Sequence, residues 1–345
     1  MRTLDLRVEG SRCTRCGACA AISPDLFDVR AGACRVARQP VAGEELWAEA
    51  ARRICPTDAI RATASETGVE PAATASVDGP PLFDVLAVGA EVVRWPLAEI
   101  PWAELDPAKA PAELRLVVRE MAFSENATYS ATQRFLDAFC DDVDFSRWVS
   151  VWFYEETRHP YVLLEWLRRV GEPQPADFVL KGRISTPFMR SVVGTLVTNV
   201  VSEITAAQAY RYMARTVPEP VLARIAALIA GDEARHAASF FRFAHLQLSR
   251  TPEASLPRER ARGLEVLLAW LRGAGQVTHP VQQMIDRIGA EGASGSFDVD
   301  FDAVRLRVVR VVGLLLDLPL RRVDDVEPAL RELLGSRQVA SRGPL

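Results

Sequence analysis

Glu155-Glu156-Thr157-Arg158-His159 and Asp232-Glu233-Ala234-Arg235-His236 are two copies of one pattern, acid-Glu-x-Arg-His. In each, Glu and His stand three residues apart, which puts both side chains on one face of a helix. Each copy follows a helical stretch with one further acid on its apolar stripe. Glu125 lies 31 residues before Glu156, and Glu203 lies 30 before Glu233. The two halves are offset by 78 and 77 residues, as a duplicated helix pair would be. Neighbours at helical spacing are mostly apolar: Ile229, Phe240 and Phe243 beside Glu233 and His236; Leu196, Val200 and Ala207 beside Glu203; Val118, Met121, Ala122 and Thr132 beside Glu125; Val149, Trp152 and Leu163 beside Glu156 and His159. These acids therefore face a core. An unpaired carboxylate is very costly there, and four of them demand cations.

A Glu from each of two helices plus Glu-x-x-His from each of two others is the ligand set of ferritin-like di-metal carboxylate proteins. Glu125, Glu156, His159, Glu203, Glu233 and His236 are thus the candidate ligands. Carboxylates with two imidazoles suit iron or manganese better than copper or zinc. Glu155 and Asp232 stand four residues before their own helix's histidine and are candidate acceptors for an imidazole N–H of the same or the opposite helix. Arg158 and Arg235 are expected to pair with such acids. Pro160, inside a helix, predicts a kink beside the ligands. His245, on the opposite helix face, and His279, before Pro280, are not candidates.

Further out, helical periodicity marks long helices near 112–139, 145–170, 187–215 and 219–249, and shorter ones near 257–273, 279–290, 299–316 and 324–335. Val217-Pro218-Glu219-Pro220 separates the third and fourth long helices. Pro96, Pro101, Pro107 and Pro111 make 81–112 read as an irregular covering segment. Residues 63–80, rich in Ala, Thr, Ser, Gly and Pro, read as a linker.

Residues 1–62 hold five of the six cysteines. Cys13, Cys16 and Cys19 are spaced by two residues each, and Cys55 is followed by Pro56. Three closely spaced thiolates can wrap one face of an iron–sulfur cubane, and a distant Cys-Pro closes the fourth corner. Gly17 lets the backbone approach the sulfides. The stretch resembles bacterial ferredoxins of the single-cluster kind. Where two-cluster relatives carry another cysteine before proline, this chain has Ser23-Pro24, and Pro24-Asp25-Leu26-Phe27 matches the family's P-x-x-F continuation. The resemblance implies one [4Fe–4S] cluster on Cys13, Cys16, Cys19 and Cys55. A four-cysteine zinc site fits this spacing poorly. Cys34 and Cys140 read as ordinary semi-buried thiols.

The rest of the chain resembles the soluble acyl-carrier-protein desaturases and their ferritin-like oxygenase relatives. E-E-T-R-H and D-E-A-R-H are close to that family's two signatures, and Ser124-Glu125-Asn126-Ala127-Thr128-Tyr129 to its first-ligand helix. The resemblance implies a di-iron centre with O2 as co-substrate. The expected activity is an oxygenase or desaturase acting on a C–H or N–H bond of a small or carrier-protein-bound substrate, with the fused ferredoxin as electron donor. The family's threonine one turn after the third-helix glutamate is replaced by Ala206 and Ala207, and Thr205 points elsewhere. Fatty-acyl desaturation and that family's proton route are therefore not implied. The p-aminobenzoate N-oxygenase relatives add a histidine where this chain has Ile229. A rubrerythrin-like peroxidase and a ferritin-like storage or redox-sensing protein are the alternatives. The long region after residue 250 exceeds a storage bundle and could wall a substrate pocket. Tyr129, one turn after Glu125, reads as core packing or a radical site.

The 345 residues are 49% hydrophobic and 25% charged with net charge −4, which points to neither nucleic acid nor a membrane surface. The most apolar stretch, Val308 to Leu320, is interrupted by Arg310 and Asp317. Arg2, Arg7 and Arg12 precede no apolar run, so no signal peptide is expected and the location expected is cytoplasmic. Clustered thiols there are metal ligands before they are disulfides. No G-x-G-x-x-G or P-loop occurs, so electrons are expected from an external ferredoxin reductase. A homodimer is compatible with the sequence. The architecture expected is an α+β ferredoxin-like small domain (1–62), a linker (63–80) and an all-α ferritin-like four-helix bundle with extra C-terminal helices (81–345).

Overall fold

β1 (Thr3–Val8) runs antiparallel to β4 (Ile60–Ser65), with Leu6 opposite Ala62 and Val8 opposite Ile60. β2 (Phe27–Arg30) and β3 (Ala33–Val36) form a second antiparallel pair. α1 (Ala18–Ile22) follows the cysteine triplet, and α2 (Glu45–Ile54) ends at Cys55. This is the small ferredoxin-like domain. The computed structural model describes residues 3–30, 33–65, 81–182, 191–273 and 300–340. Most of the linker, the helix expected near 279–290 with His279, and the expected start of the helix at 187 lie outside these. Among the described residues after Ser65 there is no strand.

The bundle consists of α4 (Ala112–Glu125), α6 (Val143–Arg169), α8 (Val192–Thr216) and α9 (Pro220–Arg250), with the short α7 (Phe178–Lys181) between α6 and α8. α4 packs on α6, α8 on α9, and α6 closes against α9. The buried Glu219 caps α9, accepting from Val221 N and Leu222 N at 3.2 and 2.8 Å. It also accepts from the Trp166 indole at 2.7 Å. With Pro220 in the first turn, this gives the sharp start that the Pro-Glu-Pro sequence predicts. α6 runs on through Pro160.

Two elements differ from the sequence expectation. The segment after residue 81 begins with a helix, α3 (Leu82–Val93), before three short 3₁₀ turns. Its β-branched residues and Gly89 blur the helical pattern, and its cap is distant in sequence. The Asp144 carboxylate accepts from Leu82 N and Phe83 N at 2.8 Å each, so a side chain of α6 satisfies two orphan donors. Leu82, Leu86 and Ala90 then face inward. The helix expected over 112–139 is two, α4 and α5 (Thr128–Ala138). Buried Asn126 turns its amide onto the Ala122 carbonyl at 2.8 Å, a side-chain bond that competes with continued helix.

The acids fall between two apolar clusters. One holds Val118, Leu163, Trp166, Ile225 and Ile229. The other holds Phe135, Phe145, Trp148 and Phe240, packed edge to face, with Trp148 and Phe240 centroids 4.8 Å apart. The second cluster runs without a break into the ferredoxin core of Leu6, Ile22, Leu26 and Ile54. The small domain is therefore docked, not only tethered. α1 lies on α9, and α2 on α11 (Phe301–Leu315). Arg307 of α11 donates to the carbonyls of Arg53 and Cys55 at 2.6 and 3.0 Å and pairs with Asp58 at 2.5 Å. α10 (Leu256–Leu271) packs on α8, on α11 and on α12 (Val326–Ala340), and α11 also packs on α8. Of the described C-terminal helices, α11 braces the small domain.

Two outcomes check this arrangement. A protease site placed between residues 68 and 78 leaves, after cutting, two halves that co-elute in gel filtration. Asp144→Ala removes the distant cap of α3 and lowers unfolding free energy by about 1 kcal/mol in urea titration.

Candidate metal centres

Each bundle helix delivers one part of the carboxylate site. Ligand atoms of Glu125, Glu156, His159 and Glu233 all lie within 4.8 Å of one another, as do those of Glu156, Glu203, Glu233 and His236. The six residues singled out in the sequence are thus brought together. The two groups share Glu156 and Glu233, so these two could serve two cations at once, with one further Glu and one His for each. His159 is fully buried, and Glu233 and His236 are 2% exposed.

The imidazoles are oriented from behind, crosswise between helices. Glu155 of α6 meets His236 Nε2 of α9 at 2.9 Å, and Asp232 of α9 meets His159 Nε2 of α6 at 3.3 Å. Both second acids therefore act on the opposite helix, one of the two arrangements expected. Each Nδ1 faces the ligand carboxylates: His159 Nδ1 is 3.4 Å from Glu233, and His236 Nδ1 is 2.9 Å from Glu156. Neither Nδ1 has a hydrogen-bond partner, although both are buried. Proton on Nε2 and a free lone pair on Nδ1 is the state a metal requires.

The charges lead to the same conclusion. Burial, with the repulsion of Glu233, pushes Glu125 up to about 7 and Glu203 well above the carboxylate range. Burial opposes ionisation of Glu233 too, yet hydrogen bonds from Glu203, His159 and His236 hold it low. Burial disfavours both imidazolium forms. The carboxylates that face them, Asp232 and Glu125 beside His159 and Glu155 and Glu156 beside His236, outweigh it, so both histidines stand well above their ordinary value. Without cations, this core holds its excess acids only by retaining protons.

Further contacts were not foreseen. Tyr210 hydrogen-bonds Glu125, and its burial and the Glu125 charge raise its phenol. It lies seven residues after Glu203, on the same face, so its signal was available. Tyr129 instead packs edge-on against Phe153. Thr128 donates to Glu156 at 3.0 Å and Trp152 to Glu203 at 3.2 Å. Trp95, from the proline-rich segment, donates to Asp232 at 2.8 Å; nothing in sequence marks it. Arg235 pairs with acids as expected, but Arg158 does not. It donates to the Trp95 carbonyl and lies 4.1 Å over that ring. Thr205 bonds the Val201 carbonyl, and His245 packs on Trp47, so both stay out of the site.

In the small domain Cys13, Cys16, Cys19 and Cys55 line one cavity. Gly17 is left-handed at φ +80°, and Ala59 N donates to Cys55 Sγ at 3.3 Å. Burial pushes the Cys16 thiol up to about 11. It keeps its proton until iron displaces it. Cys34 is not the isolated thiol its sequence position implies. It lines the same cavity, its Sγ 3.2 Å from that of Cys19, because the β2–β3 hairpin folds over the triplet. Cys140 is exposed.

Residues 8–62 match the family model described as the 4Fe-4S single cluster domain of Ferredoxin I, and these contain all four motif cysteines. Residues 117–258 match the model described as fatty acid desaturase, and these contain all six bundle candidates. No curated protein matches the chain. No described helix is long and apolar enough to cross a membrane. The chain thus joins a single-cluster iron–sulfur ferredoxin domain to an oxidoreductase domain of the fatty acid desaturase family.

Proposed function

We propose that the bundle holds two irons and that the protein uses O2 to oxidise a C–H or N–H bond of a small or carrier-bound substrate, with its own cluster as electron donor. The observation that carries this is the pair of overlapping ligand groups, sharing Glu156 and Glu233 and each facing an orphaned imidazole Nδ1. The bound irons would supply redox electrons and open coordination positions for O2. The chain's own residues do the rest. Glu125, Glu156, His159, Glu203, Glu233 and His236 hold the metals. Glu155 and Asp232 fix the imidazole tautomers. The apolar clusters above and below keep water out. Tyr210 and Thr128 present protons to Glu125 and Glu156, a supply that does not need the threonine missing from α8.

A cluster-bearing domain docked against the bundle favours catalysis over iron storage, since storage needs no dedicated donor. The cluster itself is filled by an external reductase.

Glu156→Ala and His236→Ala each lose the bundle's irons, roughly two of roughly six per chain, with the cluster's visible absorption intact. Iron analysis equal to the parent's in both rejects the assignment. In the metal-free protein, Glu125, Glu203 and both histidines bind protons more tightly than in the unfolded chain. Their stabilisation is present at low pH and lost as pH rises. Melting temperature therefore falls between about pH 5 and about pH 8, and added ferrous iron raises it most at the upper end, where the ligands release their protons. Calorimetry across that range checks both trends.

A further inference from the structure

One guanidinium touches both halves of the protein. Arg235 Nη2 lies 2.8 Å from Asp232 Oδ1 and 2.9 Å from Glu155 Oε2. Its Nη1 donates to the carbonyl oxygen of Cys16 at 3.0 Å. The same two acids hold the Nε2 atoms of His159 and His236. Arg235 is therefore one carboxylate removed from each imidazole and directly bonded to the peptide of a cluster cysteine.

The surfaces around this contact are cut to let it form. One turn before Arg235, Gly231 lies against Cys16, and a Cβ there would come within 3.0 Å of the Cys16 Cβ. On the other side, a Cβ on Gly17 would meet Arg235 Cδ at 3.4 Å. A glycine on each face lets the two segments approach closely. Nearby, Arg242 donates to the Ala21 carbonyl at 3.3 Å. Arg158 holds the equivalent place in the duplicated pattern and makes no such contact, so the junction is not a by-product of the repeat.

We propose that the Cys16–Gly231–Arg235 junction is the route by which the ferredoxin cluster reduces the metal pair, with Arg235 as the positioning residue that locks the Cys16 edge of the cluster onto α9 and links it to both imidazole-holding acids. The inference rests on the di-iron reading above. In each transfer one electron leaves the reduced cluster and one ferric ion becomes ferrous. Two transfers fill the pair, and a one-electron reductant, a flavoprotein in the cell, refills the cluster between them. Arginine suits the place because its planar fork reaches three acceptors at once and its charge is permanent. Electron tunnelling weakens steeply with distance, so a hydrogen-bonded, closely packed contact favours this path over others.

The test uses full-length protein with both centres loaded, as shown by iron and sulfide analysis. The parent, Gly231→Ala and Arg235→Lys are compared. The cluster is reduced without O2 by a photoexcited flavin, and its reoxidation is followed by visible absorbance and by the spin signal of the reduced cluster. Glu156→Ala, which lacks the pair, is the control in which the cluster stays reduced. Gly231→Ala, which pushes Cys16 away without touching any acid, and Arg235→Lys, which keeps the charge but not the fork, slow reoxidation by about tenfold or more. Reoxidation at the parent's rate in both loaded variants overturns the route. If Arg235→Lys fails to hold iron, Gly231→Ala decides alone. A parent cluster that stays reduced beside its loaded pair is a different failure: the cluster is then not the donor, and the route falls with that reading.

Discussion

Six carboxylates, Glu125, Glu155, Glu156, Glu203, Asp232 and Glu233, meet in the middle of an apolar bundle, and among the described residues the only guanidinium within ion-pair distance that is equally buried is Arg235. No arrangement of hydrogen bonds offsets that much buried negative charge. The bundle is built around the need for cations. Two apolar clusters seal the layer at either end, the duplicated helix pairs bring its acids to one level, and the second acids turn both imidazoles the same way. Two side-chain caps, the buried Glu219 on α9 and the half-buried Asp144 on α3, satisfy backbone donors at helix starts.

Much of this centre was legible because its signals are local. Glu-x-x-His within one turn, acids on apolar stripes, and near-equal offsets between the halves need only helical geometry. The cysteine triplet with its distant Cys-Pro is equally self-contained. What escaped depends on contacts between segments far apart in sequence. α3 is capped by a residue some sixty positions later, so its own sequence looks like loop. The α4–α5 break comes from one amide, Asn126, turned onto the helix. Trp95 enters the site from a segment whose prolines say only that it is irregular. Arg158 and Arg235 occupy matching places in the repeat, yet their surroundings separate them, one against Trp95 and one against the small domain.

The small domain shows the same division. Its cluster motif predicts the fold around the cysteines, while the linker composition predicts only a tethered partner. The shared core and the arginine contacts from α9 and α11 come from residues that look like ordinary helix surface in sequence. Cys34 is another case: its place beside Cys19 follows from the hairpin, and no spacing rule announces it.

The close fit of α9 over Cys16 and Gly17 also sets an order of assembly. A cluster has to be delivered to its thiols from outside, and in the finished protein one side of the triplet is roofed by Gly231 and Arg235. During synthesis the N-terminal domain emerges before the bundle. Its strands, both short helices and all four motif cysteines are complete well before residue 220 is made, so the thiols can be charged with iron while α9 is still absent. A chain whose bundle closes over an empty cysteine loop would have to reopen that seam before it could be matured. Placing the ferredoxin module before the bundle makes early loading the natural sequence of events.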